Sequence, residues 1–355
     1  MTTPTLLPLT AADLPPLLPE LVVIGGAFAL LILDLFISNR HKVWTHFLSV
    51  AILAVAFAML LGGVGGQGEV FHGMFIRDNA ADVMKTVVVL VSGLTLIYGW
   101  SYLRERNLYQ GEIAVLVLFA TAGMMLLVSA GSLLMVYLGL ELLALCSYAL
   151  VASNRDNKLA AEAGMKYIVL GSLASGLLLY GMSLVYGATG SLHLDVIHAA
   201  AAHSDERVLL LTGAVFMVAG VAFKLGAAPF HMWLPDVYQG APAPIALFIS
   251  SAPKLAAFGM AYRLLEAGVG PLSAELQYVL AGLAALSLVV GNLMAIAQVN
   301  LKRMLAYSTV SHIGFLLMGV AGGGAAGYSS AMFYAVAYAI MSTAAMIIPG
   351  VQKPH

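Results

Sequence analysis

Of the 355 residues, 61% are hydrophobic and only 9% charged, and the mean hydropathy is +0.95. An average soluble domain carries about a quarter charged residues, so a soluble fold is excluded and an integral membrane protein is expected. The 16 Lys+Arg against 17 Asp+Glu leave a net charge of −1 with no basic stripe, which excludes nucleic acid as a partner, and the lone Cys146 excludes a disulfide frame or a cysteine metal cluster.

Apolar runs near the ~20 residues that cross a bilayer as a helix recur along the whole chain. They predict eleven spans in one polytopic, all-α membrane domain, beginning near Leu17, Val43, Ala81, Glu112, Ser132, Glu162, Val208, Ala241, Leu276, Met304 and Tyr328. The first run, Leu17 to Ile37, holds Glu20 and Asp34 and is too long for the apolar core of a signal peptide, so it reads as a retained helix. Loops after odd-numbered spans carry Arg40 and Lys42, Arg104 and Arg106, Arg155 and Lys158, and Lys302 and Arg303. Even-numbered loops hold Arg77, Arg207 and Arg263, so the positive-inside rule places the odd loops in the cytoplasm and the N-terminus outside. The glycine clusters GGVGGQG (62–68) and GGG (322–324) suit turns at span ends and lack the lysine spacing of a phosphate loop.

A charge at mid-bilayer costs ~2.5 to 3.5 kcal/mol on insertion scales, which makes each intramembrane ionisable residue a functional candidate with a partner to be found. Glu141 lies mid-span in SLLMVYLGLELLALCSYALV, too deep to reach headgroups; the competing reading is a protonated structural glutamate. Lys166 stands one turn into EAGMKYIVLGSLASGLLLYGMSLVYG, where its competing role is to snorkel to the surface. Lys224 opens FKLGAAPFHMWLPDVYQGAPAP (223–244), inside an apolar region longer than one straight span needs, with Gly226 and Pro229 within it. A proline there removes a backbone hydrogen bond and frees polar groups, so the helix is expected to break at mid-membrane with Lys224 at the carbonyl end of its first half. Pro253 beside Lys254 repeats the device in the next span, and His231 and Asp236 are expected to terminate the first break. His312 shares a helix face with Ser308 at i, i+4, which suits a hydrated stripe or a hydrogen-bonded structural histidine. His193, Asp195, His198 and His203 in LHLDVIHAAAAHSDER offer no compact ligand pair and read as a solvated loop.

A buried carboxylate and several buried lysines suit proton transfer, since desolvation and a neighbouring opposite charge act in opposite senses on a lysine's hold on its proton. No flavin, haem or iron–sulfur motif is visible, so redox chemistry would belong to partner subunits.

Five stretches carry a resemblance: YLGLELLALCSYALVA, AEAGMKYIVLGSLASGLLLYG, FKLGAAPFHMWLPDVYQGAPAP, SAPKLAAFGMAYR and NLKRMLAYSTVSHIGFLLMG. They resemble successive motifs of the antiporter-like membrane subunits of respiratory complex I, in particular the subunit N family of bacterial NADH-quinone oxidoreductase, over the chain to about Met341. The resemblance implies a glutamate–lysine pair at Glu141 and Lys224 with Lys166 nearby, and a polar axis continued by Lys254 and His312. It implies a proton-translocating subunit of the bacterial inner membrane, driven by NADH oxidation and quinone reduction elsewhere in the complex. Flavin, iron–sulfur clusters and quinone would lie in partner subunits, with no cofactor in this chain, and the partners would be the complex's other membrane and peripheral subunits and the lipid bilayer.

The family's inverted five-helix repeats imply a division into three N-terminal helices (1–110), a first repeat (111–268), a partial second repeat (269–348) and a tail (349–355). Only three helices of the second repeat are expected, because STAAMIIPGVQKPH does not resemble the family's continuation and no lysine follows Lys302 before Lys353. On that basis His312 is expected to lack polar neighbours and the chain alone not to pump. The alternatives are a subunit of a multi-subunit cation/proton antiporter and a non-pumping truncated scaffold.

Overall fold

A computed structural model of the protein describes residues 14–38 and 41–351. Arg40, Lys353 and the end of the 349–355 tail lie outside the described residues. Eleven helical spans long and apolar enough to cross a membrane occur among the described residues, and their starts fall within a few residues of the expected ones. Spans 1 to 6 are α1 (Leu18–Phe36, led in by a 3-10 turn), α2 (Val43–Leu61), α3 (Asn79–Glu105), α4 (Gly111–Val128), α5 (Leu133–Val151) and α6 (Lys158–Thr189). Span 7 is α8 (Arg207–Leu225) followed by the short α9 (Trp233–Gly240). Span 8 is α10 (Ala243–Ser250) plus α11 (Ala252–Ala261), and spans 9 to 11 are α12 (Ser273–Ile296), α13 (Leu301–Gly322) and α14 (Gly324–Val351). Short polar side chains fix where spans begin: Asp78 accepts from Ala81 N at 2.8 Å to cap α3, and Ser132, Asn157 and Asn300 cap α5, α6 and α13 in the same way.

One surface, the basic face, carries Arg104, Arg106, Arg155, Lys158, Lys302 and Arg303 at the connections between spans. The opposite surface carries an antiparallel hairpin of β1 (Gly68–Val70) and β2 (Phe75–Arg77), with Val70 opposite Phe75. Here the glycine cluster continues from a turn into pairing, a step that its turn signals alone do not reveal. The 192–207 stretch also departs from expectation. It forms a helix, α7 (Leu194–Ala201), because Leu194, Ile197 and Ala201 recur at helical spacing and bury one face. His198 packs beside Gly270, so this stretch is not a solvated loop throughout.

Span 8 and α4 are the most buried spans, and α4 is apolar nearly all round. It meets α5 at glycines: a Cβ on Gly139 would lie 2.8 Å from Leu127 N, and one on Gly123 would lie 2.8 Å from Gly139 O. Small residues at such crossings let membrane helices approach backbone to backbone, and this crossing sets the position of Glu141 two residues beyond Gly139.

Both expected breaks are present. In span 7, α8 ends at Leu225, Gly226 takes a left-handed φ of 86°, and the chain runs irregularly to Trp233, where α9 begins. Span 8 breaks at Ser251 (φ −118°, ψ −87°), ahead of Pro253. Pro253 stands in the first turn of the second half-helix, where its missing N–H is one that no helix start can satisfy internally. Beyond Ala261 the span ends in a π-helical stretch, Tyr262–Gly268.

Candidate proton-transfer site

At the carbonyl end of α8 sits a cation from another helix. Lys254 Nζ donates to Leu225 O at 2.8 Å and Lys224 O at 3.2 Å, is 2% exposed, and lies 4.6 Å from the centroid of the Trp233 ring. The sequence expectation gave this position to Lys224. Its side chain instead leans back along α8, as helical side chains do, and its ammonium faces the Tyr148 ring at 5.8 Å. A lysine cannot easily reach the carbonyls ahead of it on its own helix; one on a neighbouring helix can reach them from the side.

Other freed groups of the two breaks are also satisfied. Ala228 N donates to Ser287 Oγ at 2.9 Å and Trp233 Nε1 to Phe223 O at 3.0 Å, while Ser342 Oγ donates to Ser250 O at 3.1 Å. Membrane depth tolerates irregular backbone only when its polar groups are bonded within the protein or to water.

Glu141 lies within electrostatic reach of Lys224 and Tyr148. It makes no ion-pair contact with Lys224, and its Oε1 is buried without a hydrogen-bond partner. A cavity of about 10 Å³ beside Leu140, Tyr167 and Trp233 touches both Lys224 and Lys254, room for about one water. The structure therefore brings Lys224 and Lys254 together and holds Glu141 within electrostatic reach of Lys224 without contact.

Lys166 and His312 stand apart from that pair. Lys166 donates to Asp236 Oδ2 at 2.7 Å and pairs with Glu162 at the same distance, with 43% of its side chain exposed. Asp236 also accepts from Arg303 Nη1 at 2.6 Å. Asp236 thus ties α6, α9 and α13 together rather than merely ending the break. Burial pushes its carboxyl up, but the hydrogen bonds from Lys166 and Arg303 outweigh this and hold it below its ordinary value. These residues line a cavity of about 220 Å³ at the basic face. Tyr167 and Trp233, which line the small cavity, stack at 4.6 Å with rings 7° from parallel.

His312 Nδ1 shares a hydrogen bond of 2.7 Å with the Tyr334 hydroxyl, and Tyr338 lies 5.1 Å away, ring to ring. The expectation that His312 lacks polar neighbours is thus wrong: α14 supplies them.

Two charged constellations escaped the sequence reading. Glu20 Oε1 and Lys85 Nζ lie 2.6 Å apart with side chains 1% and 0% exposed. Arg263, read as a loop charge, is buried; its Nε donates to Val128 O at 2.9 Å and its Nη2 pairs with Asp78 at 2.8 Å. Glu20 and Lys85 each interrupt an apolar run, and that signal was available. Their partnership joins α1 to α3, and no local pattern contains it.

The sequence profile of the family described as "NADH:quinone oxidoreductase/Mrp antiporter, TM" matches residues 130–352. The chain is 81% identical over 344 residues to NADH-quinone oxidoreductase subunit N of Xanthomonas euvesicatoria pv. vesicatoria (strain 85-10), covering 97% of this chain and 71% of that protein. The chain belongs to the NADH-quinone oxidoreductase subunit N family. A chain of respiratory complex I from Thermus thermophilus with bound aureothin superposes with a TM-score of 0.79 at 32% identity, covering 94% of this chain and 70% of that one. A chain of the Mrp complex from Dietzia sp. DQ12-45-1b gives a TM-score of 0.83 at 22% identity, over 96% and 65% of the two chains, a likeness of fold. This subunit N family member is accordingly a multi-pass, antiporter-like, proton-pumping membrane subunit of the translocase. Its profile match takes in Glu141, Lys166, Lys224, Lys254 and His312, whereas Glu20 and Lys85 precede it.

Proposed function

We propose that protons move through this subunit by way of Glu141, Lys224 and Lys254, taken up from the 220 Å³ cavity at Lys166 and Asp236 and passed on toward His312. The observation that carries the reading is Lys254 bonded to the two carbonyls that the break in span 7 exposes, at 2.8 and 3.2 Å, with Lys224 across a cavity that both lysines line. Like charges this close in a buried site oppose each other, and the Glu141 carboxylate favours the charged form of Lys224. A change in the position or charge of Glu141 then alters which lysine holds a proton. Each tenfold change in that balance is about 1.4 kcal/mol, against about 2.3 kcal/mol to move one charge across 100 mV.

In this reading the basic face is cytoplasmic and the N-terminus periplasmic, in the bacterial inner membrane, by the asymmetry of Lys and Arg between connections. Flavin, iron–sulfur and quinone chemistry belongs to partner subunits of both arms, and lipid surrounds the exposed apolar faces of the spans. Residues 111–268 act as the first repeat, 269–348 as part of the second, with 1–110 as the N-terminal helices and 349–355 as a tail.

The test is redox-driven proton pumping in membranes carrying the complex with this subunit. Lys224→Ala and Glu141→Gln are expected to lower protons pumped per electron while leaving assembly intact. Normal pumping per electron in an assembled Lys224→Ala complex overturns the reading.

A further inference from the structure

The Glu20–Lys85 pair is more deeply sealed than Glu141 and takes no part in the route above. Glu20 lies in the first turn of α1 and Lys85 in the second turn of α3, both toward the hairpin face. Phe75 of β2 covers the ammonium, its ring centroid 4.8 Å from Nζ. Beyond their 2.6 Å contact, no other side chain hydrogen-bonds either oxygen of Glu20 or Lys85 Nζ. A purely structural buried ion pair repays its desolvation only when further hydrogen bonds fill its remaining valences, and here no third side chain supplies one.

The surroundings are asymmetric. Toward the hairpin face, Asp82 stands one turn before Lys85 on α3, 22% exposed, and accepts from Arg77 Nε at 2.8 Å. Arg77 is itself buried and pinned by Val64 O at 2.7 Å and Pro16 O at 3.4 Å. Arg77 and Asp82 are the charged groups that act on the pair from outside it. Toward the basic face, the next polar group on the same side of α3 is the buried Ser92, about 10 Å further along at ~1.5 Å per residue. Val88 and Val89, 0% and 1% exposed, fill the interval. The pair therefore has a charged neighbour leading to one surface and an apolar plug toward the other.

We propose that Glu20 and Lys85 are a second proton-exchanging pair, which takes up and releases a proton at the hairpin face by way of Asp82. At their hydrogen-bonding separation the internal step balances simply: an N–H bond of Lys85 breaks, an O–H bond forms on Glu20, and both charges vanish together. Protonation of Asp82 from solvent then supplies, and its deprotonation removes, the proton exchanged with the pair. The proposal rests on the reading of the chain as a proton translocator, and places an exchange site in the three N-terminal helices.

The experiment is infrared difference spectroscopy of the assembled complex in membranes during NADH-driven quinone reduction, with proton pumping measured in parallel. A protonated-carboxyl band that responds to turnover is expected to vanish in Glu20→Gln, to shift in Glu20→Asp and to persist in Glu141→Gln. Asp82→Asn should slow its appearance about a hundredfold, as loss of a proton-transfer group does. The Glu20→Gln/Lys85→Met double variant should keep NADH–quinone activity while pumping fewer protons per electron. A double variant that pumps normally and wild-type spectra without a Glu20-dependent band would make the pair a static clamp and overturn the proposal. If the double variant does not assemble, Asp82→Asn and Glu20→Asp decide: a band unmoved by both also overturns it. Normal pumping in Lys224→Ala would instead remove the translocation reading, a result independent of the Glu20 band.

Discussion

At the scale of single residues, two lysines that look alike in the sequence do different work. Lys254 is the hydrogen-bond donor for two carbonyls at the end of α8; Lys224 is held by burial, the Tyr148 ring and the field of Glu141. Lys254→Met leaves both carbonyls without that donor, at about 1–3 kcal/mol for a buried unsatisfied group, so it should lower the thermal unfolding midpoint of the purified complex as well as pumping. Lys224→Ala should lose pumping with a much smaller shift of that midpoint. Equal midpoint shifts in the two variants would contradict this division.

Asp236 offers a pH test at the same scale. A carboxyl held below its ordinary value stabilises the folded arrangement above that value, and the contribution is lost as pH falls through the folded-state value. The protection of the α9 backbone amides, the exchange rate taken relative to the intrinsic rate at each pH, should therefore hold steady around neutrality and fall once acidification passes below the ordinary 3.8. In Asp236→Ala that protection should be low throughout. Protection that is independent of both pH and the substitution would show that the Lys166 and Arg303 contacts do not hold α9.

Elements supply the next constraint, because a break at membrane depth persists only if its loose polar groups are bonded. In span 7 the left-handed Gly226, the Ser287 hydroxyl, Trp233 and Lys254 all hold the break. Pro229→Ala restores one backbone donor and leaves these four in place, so a structure of that variant should retain the break; a straightened span 7 would show that the proline alone enforces it. Gly226→Ala is expected to be far worse. An L side chain at a φ of 86° is strained, and its Cβ would collide with Leu234 Cδ1. The amount of assembled complex in membranes should fall sharply in Gly226→Ala and little in Pro229→Ala.

Across the whole molecule, the three N-terminal spans are joined to span 8 at the hairpin face through Arg263, which reaches Val128 O on α4 and Asp78 at the start of α3. Arg263 lies in the π-helical end of the same span that carries Lys254. Arg263→Met removes both ties at a cost of about 1–3 kcal/mol. Its expected effect is a lower unfolding midpoint with protons per electron unchanged in the complexes that assemble. Lost pumping at an unchanged midpoint would move Arg263 from the scaffold into the transfer route.

The sequence by itself determined what depends on local composition. The number of spans follows from run length, the side bearing the cations from their distribution, the breaks from Gly226, Pro229 and Pro253, and the candidate groups from their rarity in apolar surroundings. The hairpin and α7 were missed because a three-residue strand and a two-turn helix carry too little periodicity to stand out beside glycines and histidines. Only the tertiary structure decided partnership. Lys254 rather than Lys224 meets the exposed carbonyls, Asp236 bonds Lys166 and Arg303 across 70 and 67 positions, and Glu20 finds Lys85. Span hydropathy is additive along the chain, so it can be read one window at a time. An ion pair or a capped carbonyl depends on which helices pack side by side, a property of the folded whole that no window contains.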